Sequence, residues 1–158
     1  MIIRKSRDEI ETMGRAGRVV ARTLELLGER AKPGVTTAEL DEAAEEYIRS
    51  EGGVPTFKGY RGFPAAICTS PNSMVVHGIP GPYVLEDGDL ISVDVGVTLD
   101  GFVADSAFTF PVGVVDGELV RHLEVEDGEE LTVDLLEHAV ERLGLGDGAW
   151  EAVENEPV

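Results

Sequence analysis

The spacing of apolar positions changes once along the chain, from a helical period to a strand period. Ile10, Met13, Gly17, Val20, Leu24 and Leu27 recur at intervals of three and four, a stripe that predicts one helix reaching about residue 30. "SRDE" opens it with Ser6 three residues ahead of Glu9, the spacing at which a hydroxyl caps the N3 amide and a carboxylate reaches back. "KPGVTTAE" predicts a turn and then repeats the capping pattern with Thr36 and Glu39. The second predicted helix turns Leu40, Ala43, Ala44, Tyr47 and Ile48 inward and stops at Gly52-Gly53.

Beyond those glycines the period falls to two. "FPAAICTSPNSMVVHGIP" predicts two short strands around the turn residues Ser70, Pro71, Asn72 and Ser73. "DLISVDVGV" alternates with Ile91, Val93, Val95 and Val97 on one face and Ser92, Asp94 and Gly96 on the other. "GFVADSAFTF" places Phe102, Ala104, Ser106, Phe108 and Phe110 on one face, with Asp100-Gly101 in the turn between the two strands. Two helices followed by an antiparallel sheet predict an α+β fold. Later in the chain, Leu131, Leu135, Ala139, Val140 and Leu143 predict a third amphipathic helix, and "GLGDGAWEAVENEPV" reads as loop.

Charge divides the chain further. The net formal charge is −18. Residues 1–117 hold 18 acidic and 11 basic side chains, whereas residues 118–158 hold 13 acidic and 2 basic. The domain expectation follows that break, with one unit over 1–117 and a divergent acidic tail over 118–158. So acidic a surface repels phosphates, which excludes a nucleic-acid partner. No apolar run is long enough for a membrane span and no leader pattern opens the chain, so a cytoplasmic setting is expected. The single cysteine, Cys68, forms no internal disulfide and agrees with a reducing compartment.

The candidate chemistry lies in the predicted hairpin. If residues 98–101 form a four-residue loop, Val97 faces Phe102 and Asp94 faces Asp105 directly, with Cβ atoms about 5 Å apart. Carboxylates that close repel unless one is protonated or a cation lies between them. Oxygen donors at this spacing suit a divalent ion, or two ions if further ligands arrive; the alternative is a shifted register with both aspartates solvated. His77, in "HGIP", sits upstream on a Gly-Pro turn, placed either as a structural residue or to make one directed hydrogen bond near a metal-bound substrate.

"ICTSPNSMVVHGIP", "LEDGDLISVDVGV" and "DGFVADSAFTFPVG" closely resemble the first half of type I methionine aminopeptidases, metallopeptidases of the pita-bread fold. "KSRDEIETMGRAGRVVARTLELL" and "AKPGVTTAELD" are similar to that family's opening helices, so the resemblance runs from about residue 1 to 117. It implies one half of a pita-bread fold. It also implies the release of N-terminal methionine from nascent proteins, by a water bridging two divalent ions of cobalt, manganese, iron, zinc or magnesium.

By position, Asp94 and Asp105 match the family's first two metal-binding aspartates, the second bridging both ions. His77 matches a non-ligand histidine that hydrogen-bonds the substrate peptide. Tyr60, Phe63 and Cys68 match residues lining the methionine pocket. Phe63 stands where tyrosine is common, and Phe57 where a smaller residue is frequent. The family's remaining ligands, a histidine in a "GHGIG"-like turn and two glutamates, have no clear counterpart after Gly117. Glu156-Pro157-Val158 only echoes a glutamate-proline motif, and His122 and His138 are the other imidazoles. Three readings stay open: a metalloaminopeptidase with an incomplete site, a non-catalytic peptide- or metal-binding relative, and an interaction module built on the acidic tail. A half-fold that exposes its sheet face is also expected to self-associate.

Overall fold

The computed structural model describes residues 4–115. Both capping boxes form. Ser6 caps α1 (Arg7–Arg30) and Thr36 caps α2 (Thr37–Ser50), each with its N3 glutamate bonded back to the cap amide. The sheet consists of β1 (Val54–Pro55), β2 (Ile67–Pro71), β3 (Leu90–Leu99) and β4 (Phe102–Pro111), with a short 3₁₀ turn at Tyr60–Gly62. All pairings are antiparallel. β3 is central, with β4 along one side and β2 and β1 in succession along the other. The α+β order expected from the spacing is the observed one.

The core lies on one face of this sheet. Ile91, Val93, Val95 and Val97 are fully buried there with Ile67 and Phe110, under Val20, Leu24 and Leu27 of α1 and Leu40, Ala44 and Ile48 of α2. Gly28 lets α1 cross close to β4, because a Cβ at that position would meet the ring of Phe110 at 2.6 Å. Burying each of the larger aliphatic side chains contributes roughly 1.5–3 kcal/mol, so this layer is the main apolar contribution to stability among the described residues.

Two expectations about the strands are corrected. The hairpin loop is Asp100-Gly101 alone, both residues at positive φ (48° and 84°), so Leu99 pairs with Phe102. An Asp-Gly pair favours this two-residue turn because its twist matches that of the strands it joins. The register is therefore two residues from the expected one. Only one strand, β2, occurs in the stretch that suggested two. At Asn72 the backbone turns left-handed (φ 52°), and Met74, Val75 and Val76 leave the sheet as an exposed arch. The predicted third helix, His122, His138 and Glu156-Pro157-Val158 lie outside the described residues. Among the described residues, no helix is long and apolar enough to cross a membrane.

Leu27 is fully buried between α1 and the sheet. Leu27→Ala is expected to destabilise the chain by about 2–5 kcal/mol. Urea denaturation should show a lowered midpoint at an unchanged slope.

Candidate functional site

The face of the sheet opposite the helices carries the polar positions of β3. Ser92 pairs with Ser70 on β2 and Thr109 on β4, and Asp94 with Cys68 and Ala107. Gly96 pairs with Asp105, and Thr98 with Val103. Asp94 and Asp105 are thus diagonal neighbours, not direct opposites. A register change of two preserves the face of every side chain, so both carboxylates still point the same way. A diagonal pair of Cβ atoms is separated by up to about 7–8 Å, which leaves room between two carboxylates for a bridging group.

Asp94 has a half-buried side chain, and its Oδ1 is buried without a hydrogen-bond partner. Its flanking side chains explain this, since a thiol and a methyl group offer almost nothing to a carboxylate. Burial raises the pKa of Asp94, Asp105 raises it further, and His77 opposes them. Burial pushes the Cys68 thiol up to about 11, with the Asp94, Asp105 and Asp41 carboxylates adding to the effect. Such a thiol is an inert neighbour and not a nucleophile.

His77 reaches this face from the arch. Its backbone is left-handed (φ 60°), a conformation that costs a non-glycine residue about 1 kcal/mol. Gly78 follows, its amide donating to Ser70 Oγ (3.2 Å) and its carbonyl accepting from the Thr69 amide (2.9 Å). No side chain fits there, because a Cβ would run into the Thr69 carbonyl. The histidine is thereby held beside an open cleft of about 450 Å³, lined by Ser70, Val75, His77, Ser92, Asp94 and Thr109 among others.

The residues expected to line a methionine pocket are less closely gathered. Cys68 is buried beside Asp94, and Phe63 is partly buried after the 3₁₀ turn. Tyr60 is 62% exposed, with the Arg61 guanidinium over its ring. Phe57 lies against Gly96, so close that a Cβ there would meet the ring at 2.6 Å. Along the face, the Phe57 ring is thus level with Asp105, which pairs with Gly96, and the hydroxyls of Ser70, Ser92 and Thr109 lie on the far side of Asp94. Sequence reasoning misses this hydroxyl row, although Ser92 shares the polar phase of β3 with Asp94.

A hard divalent ion fits the unpartnered Asp94 oxygen and the same-face Asp105. It would neutralise the repulsion between the two carboxylates. The fit is partial, since among the described residues no group of three or more His, Cys, Asp or Glu side chains is able to hold an ion.

Two helices on one face of an antiparallel sheet, with the acidic pair on the other, define half of the pita-bread architecture of metal-dependent aminopeptidases. The chain belongs to metallopeptidase family M24, whose model matches residues 11–151. It is 48% identical over 127 residues to a methionine aminopeptidase of Clostridium perfringens, covering 80% of this chain and 51% of that protein. With methionine aminopeptidase 1 of Bacillus subtilis the identity is 50% over 127 residues, with the same coverage. A crystal structure of methionine aminopeptidase from Rickettsia prowazekii superposes with a TM-score of 0.75 at 36% identity, covering 78% of this chain and 50% of that one. The chain spans about half the length of the curated relatives it matches.

The raised pKa of Asp94 has a definite sign in stability. The folded chain keeps its proton to higher pH than the unfolded chain. Stability therefore declines as pH rises from the ordinary carboxylate range through the raised folded value, and is level above it. Asp94→Asn should remove that slope in metal-free buffer and raise stability at pH 7, because it removes a half-buried charge repelled by Asp105 while keeping the shape of the side chain. A lowered urea midpoint would show instead that the carboxylate is partnered. For Cys68, a thiol near 11 predicts alkylation by iodoacetamide at pH 8 slowed on the order of 100-fold relative to the urea-unfolded chain. Equal rates in the two states would contradict the burial of the thiol.

Proposed function

We propose that this chain carries the first two metal-binding aspartates and the substrate-side histidine of an aminopeptidase that removes N-terminal methionine from nascent proteins, in a cytoplasmic setting. The observation that carries the reading is the buried, unpartnered Oδ1 of Asp94 on the same face as Asp105. Asp94 and Asp105 would hold the divalent ion, whether cobalt, manganese, iron, zinc or magnesium. When bound, such an ion polarises a peptide carbonyl and makes water a stronger nucleophile at neutral pH.

The chain's other residues do separate work. His77 stands beside the cleft with one imidazole available for a directed hydrogen bond to the peptide backbone. Phe57, against Gly96, and Cys68, beside Asp94, are the side chains of this face that would receive an apolar methionine side chain, with Phe63 and Tyr60 added only by the resemblance. The Ser70, Ser92 and Thr109 hydroxyls lie past Asp94. In this arrangement the scissile bond spans the aspartates. Its methionine lies on the aromatic side, and the following residues lie over the hydroxyls.

A second reading, a metal- or peptide-binding relative without turnover, is favoured by one observation: the described residues bring only two carboxylates to the face. Calorimetric titration with manganese tests what the readings share. Asp94→Asn and Asp105→Asn should each weaken binding at least about tenfold, and His77→Ala should leave it unchanged, as befits a residue that is not a ligand. Robust hydrolysis of a Met-Ala-Ser peptide with cobalt or manganese selects the enzyme; metal binding without turnover selects the second reading. Manganese uptake undiminished by Asp94→Asn would remove both.

A further inference from the structure

The residues from Asn72 to Tyr83 leave the sheet after β2, carry His77 across the open face and return to the start of α2. Both ends of this excursion meet at one buried carboxylate. Asp89, 8% exposed just before β3, accepts from Asn72 Nδ2 on its Oδ1 (2.9 Å) and from Tyr83 Oη on its Oδ2 (2.9 Å). The Glu86 amide also donates to Oδ2 (2.9 Å), and Asn72 Nδ2 lies 3.2 Å from Tyr83 Oη, closing the ring of contacts. Asn72 is fastened to β3 a second time, since its amide donates to the Leu90 carbonyl (2.8 Å) and its Oδ1 accepts from the Leu90 amide (3.0 Å).

The other end is seated on α2. The Thr37 amide donates to the Tyr83 carbonyl (3.0 Å) and the Ala38 amide to the Gly81 carbonyl (3.0 Å). Between the clamped ends, the residues around the histidine have little packing of their own. Val75, Val76 and Ile79 are 84%, 62% and 60% exposed. Asn72 and His77 both hold left-handed backbone, which an unrestrained loop would relax. Hydrogen bonds to an ionised, buried acceptor are among the stronger ones available to fix such a segment.

We propose that Asp89 is a positioning residue for His77, its two carboxylate oxygens tying the two ends of the Asn72–Tyr83 segment so that the left-handed histidine is presented beside Asp94. It acts through Asn72 and Tyr83 and touches neither metal nor peptide. The proposal rests on the reading of His77 as the substrate-side contact only for its importance to function. The positioning itself is tested without metal or substrate, so either can fail alone.

The test is amide hydrogen exchange by NMR on the whole chain, comparing Asn72→Gly, Tyr83→Phe and Asp89→Asn with the parent. Asn72→Gly removes the side-chain clamp at a position where glycine accepts the left-handed backbone without strain, and Tyr83→Phe, which leaves the backbone unaltered, separates the clamp from the added freedom of glycine. Exchange at the Thr69 and Gly78 amides should quicken about tenfold in Asn72→Gly, the effect of losing a hydrogen bond to a charged group, and by a smaller factor in Tyr83→Phe. The Val93 and Val95 amides should keep their parent rates, and the His77 imidazole resonances should shift. Thr69 and Gly78 rates unchanged in Asn72→Gly would overturn the proposal. So would acceleration of all four amides in step, the mark of a merely structural contribution. If Asp89→Asn does not fold, the two milder variants decide between these outcomes.

Discussion

Strand β3 turns Ile91, Val93, Val95 and Val97 fully into the core and Ser92, Asp94, Gly96 and Thr98 the opposite way. A slip of one residue against its neighbours would exchange the two sets, exposing four aliphatic side chains at roughly 1.5–3 kcal/mol each. It would also drive a carboxylate under the helices, where nothing could solvate it. The phase of β3 therefore fixes which side the helices cover and which side keeps the polar groups. Every other element conforms to it: β2 brings Cys68 and Ser70 into line, β4 brings Asp105 and Thr109, and Gly28 lets α1 close over the buried side.

That phase is a local property, so it can be read directly from the sequence. The same is true of both helices, because their caps lie within four residues of the groups they satisfy. The facing of the two aspartates was legible for the same reason, since parity alone determines it. Their separation was not. It depends on the length of the hairpin loop, and there the Asp-Gly pair outweighed the longer turn inferred from the pattern. The arch after β2 was hidden by composition, because Met74, Val75 and Val76 have the character of a strand yet leave the sheet. What diverts them is long-range: a left-handed Asn72 held by Asp89, and a Gly78 pressed on the Thr69 backbone. No neighbour in sequence signals those contacts. The placement of Phe57 over Gly96 is of the same kind, a packing relation between residues 39 apart.

The two acidic sites contrast in how their charge is accommodated. Burial works against Asp89, but donors from Asn72, the Glu86 amide and Tyr83 outweigh it and hold the carboxyl below its usual range. Asp94 meets a thiol, a methyl group and a second carboxylate, and its pKa rises. One carboxylate is satisfied by the protein and fastens a loop. The other is left wanting, and that deficit gives it an affinity for a cation. The contrast lies in the neighbours, an amide side chain, a phenol and a backbone amide around Asp89 against a thiol and a methyl group around Asp94.

The one-sidedness of the core has an evolutionary consequence. Among the described residues, selection on folding acts most strongly on the helix-covered side, where volume and shape are constrained, and less on the exposed and half-buried side chains of the opposite side. Substitutions there can accumulate, and new specificities can be sampled, without first crossing a threshold of instability. Gly96 and Gly78 are the exceptions, positions where the open side is as intolerant of added atoms as the interior. A lineage built on this scaffold would be expected to diversify around those two glycines and seldom through them.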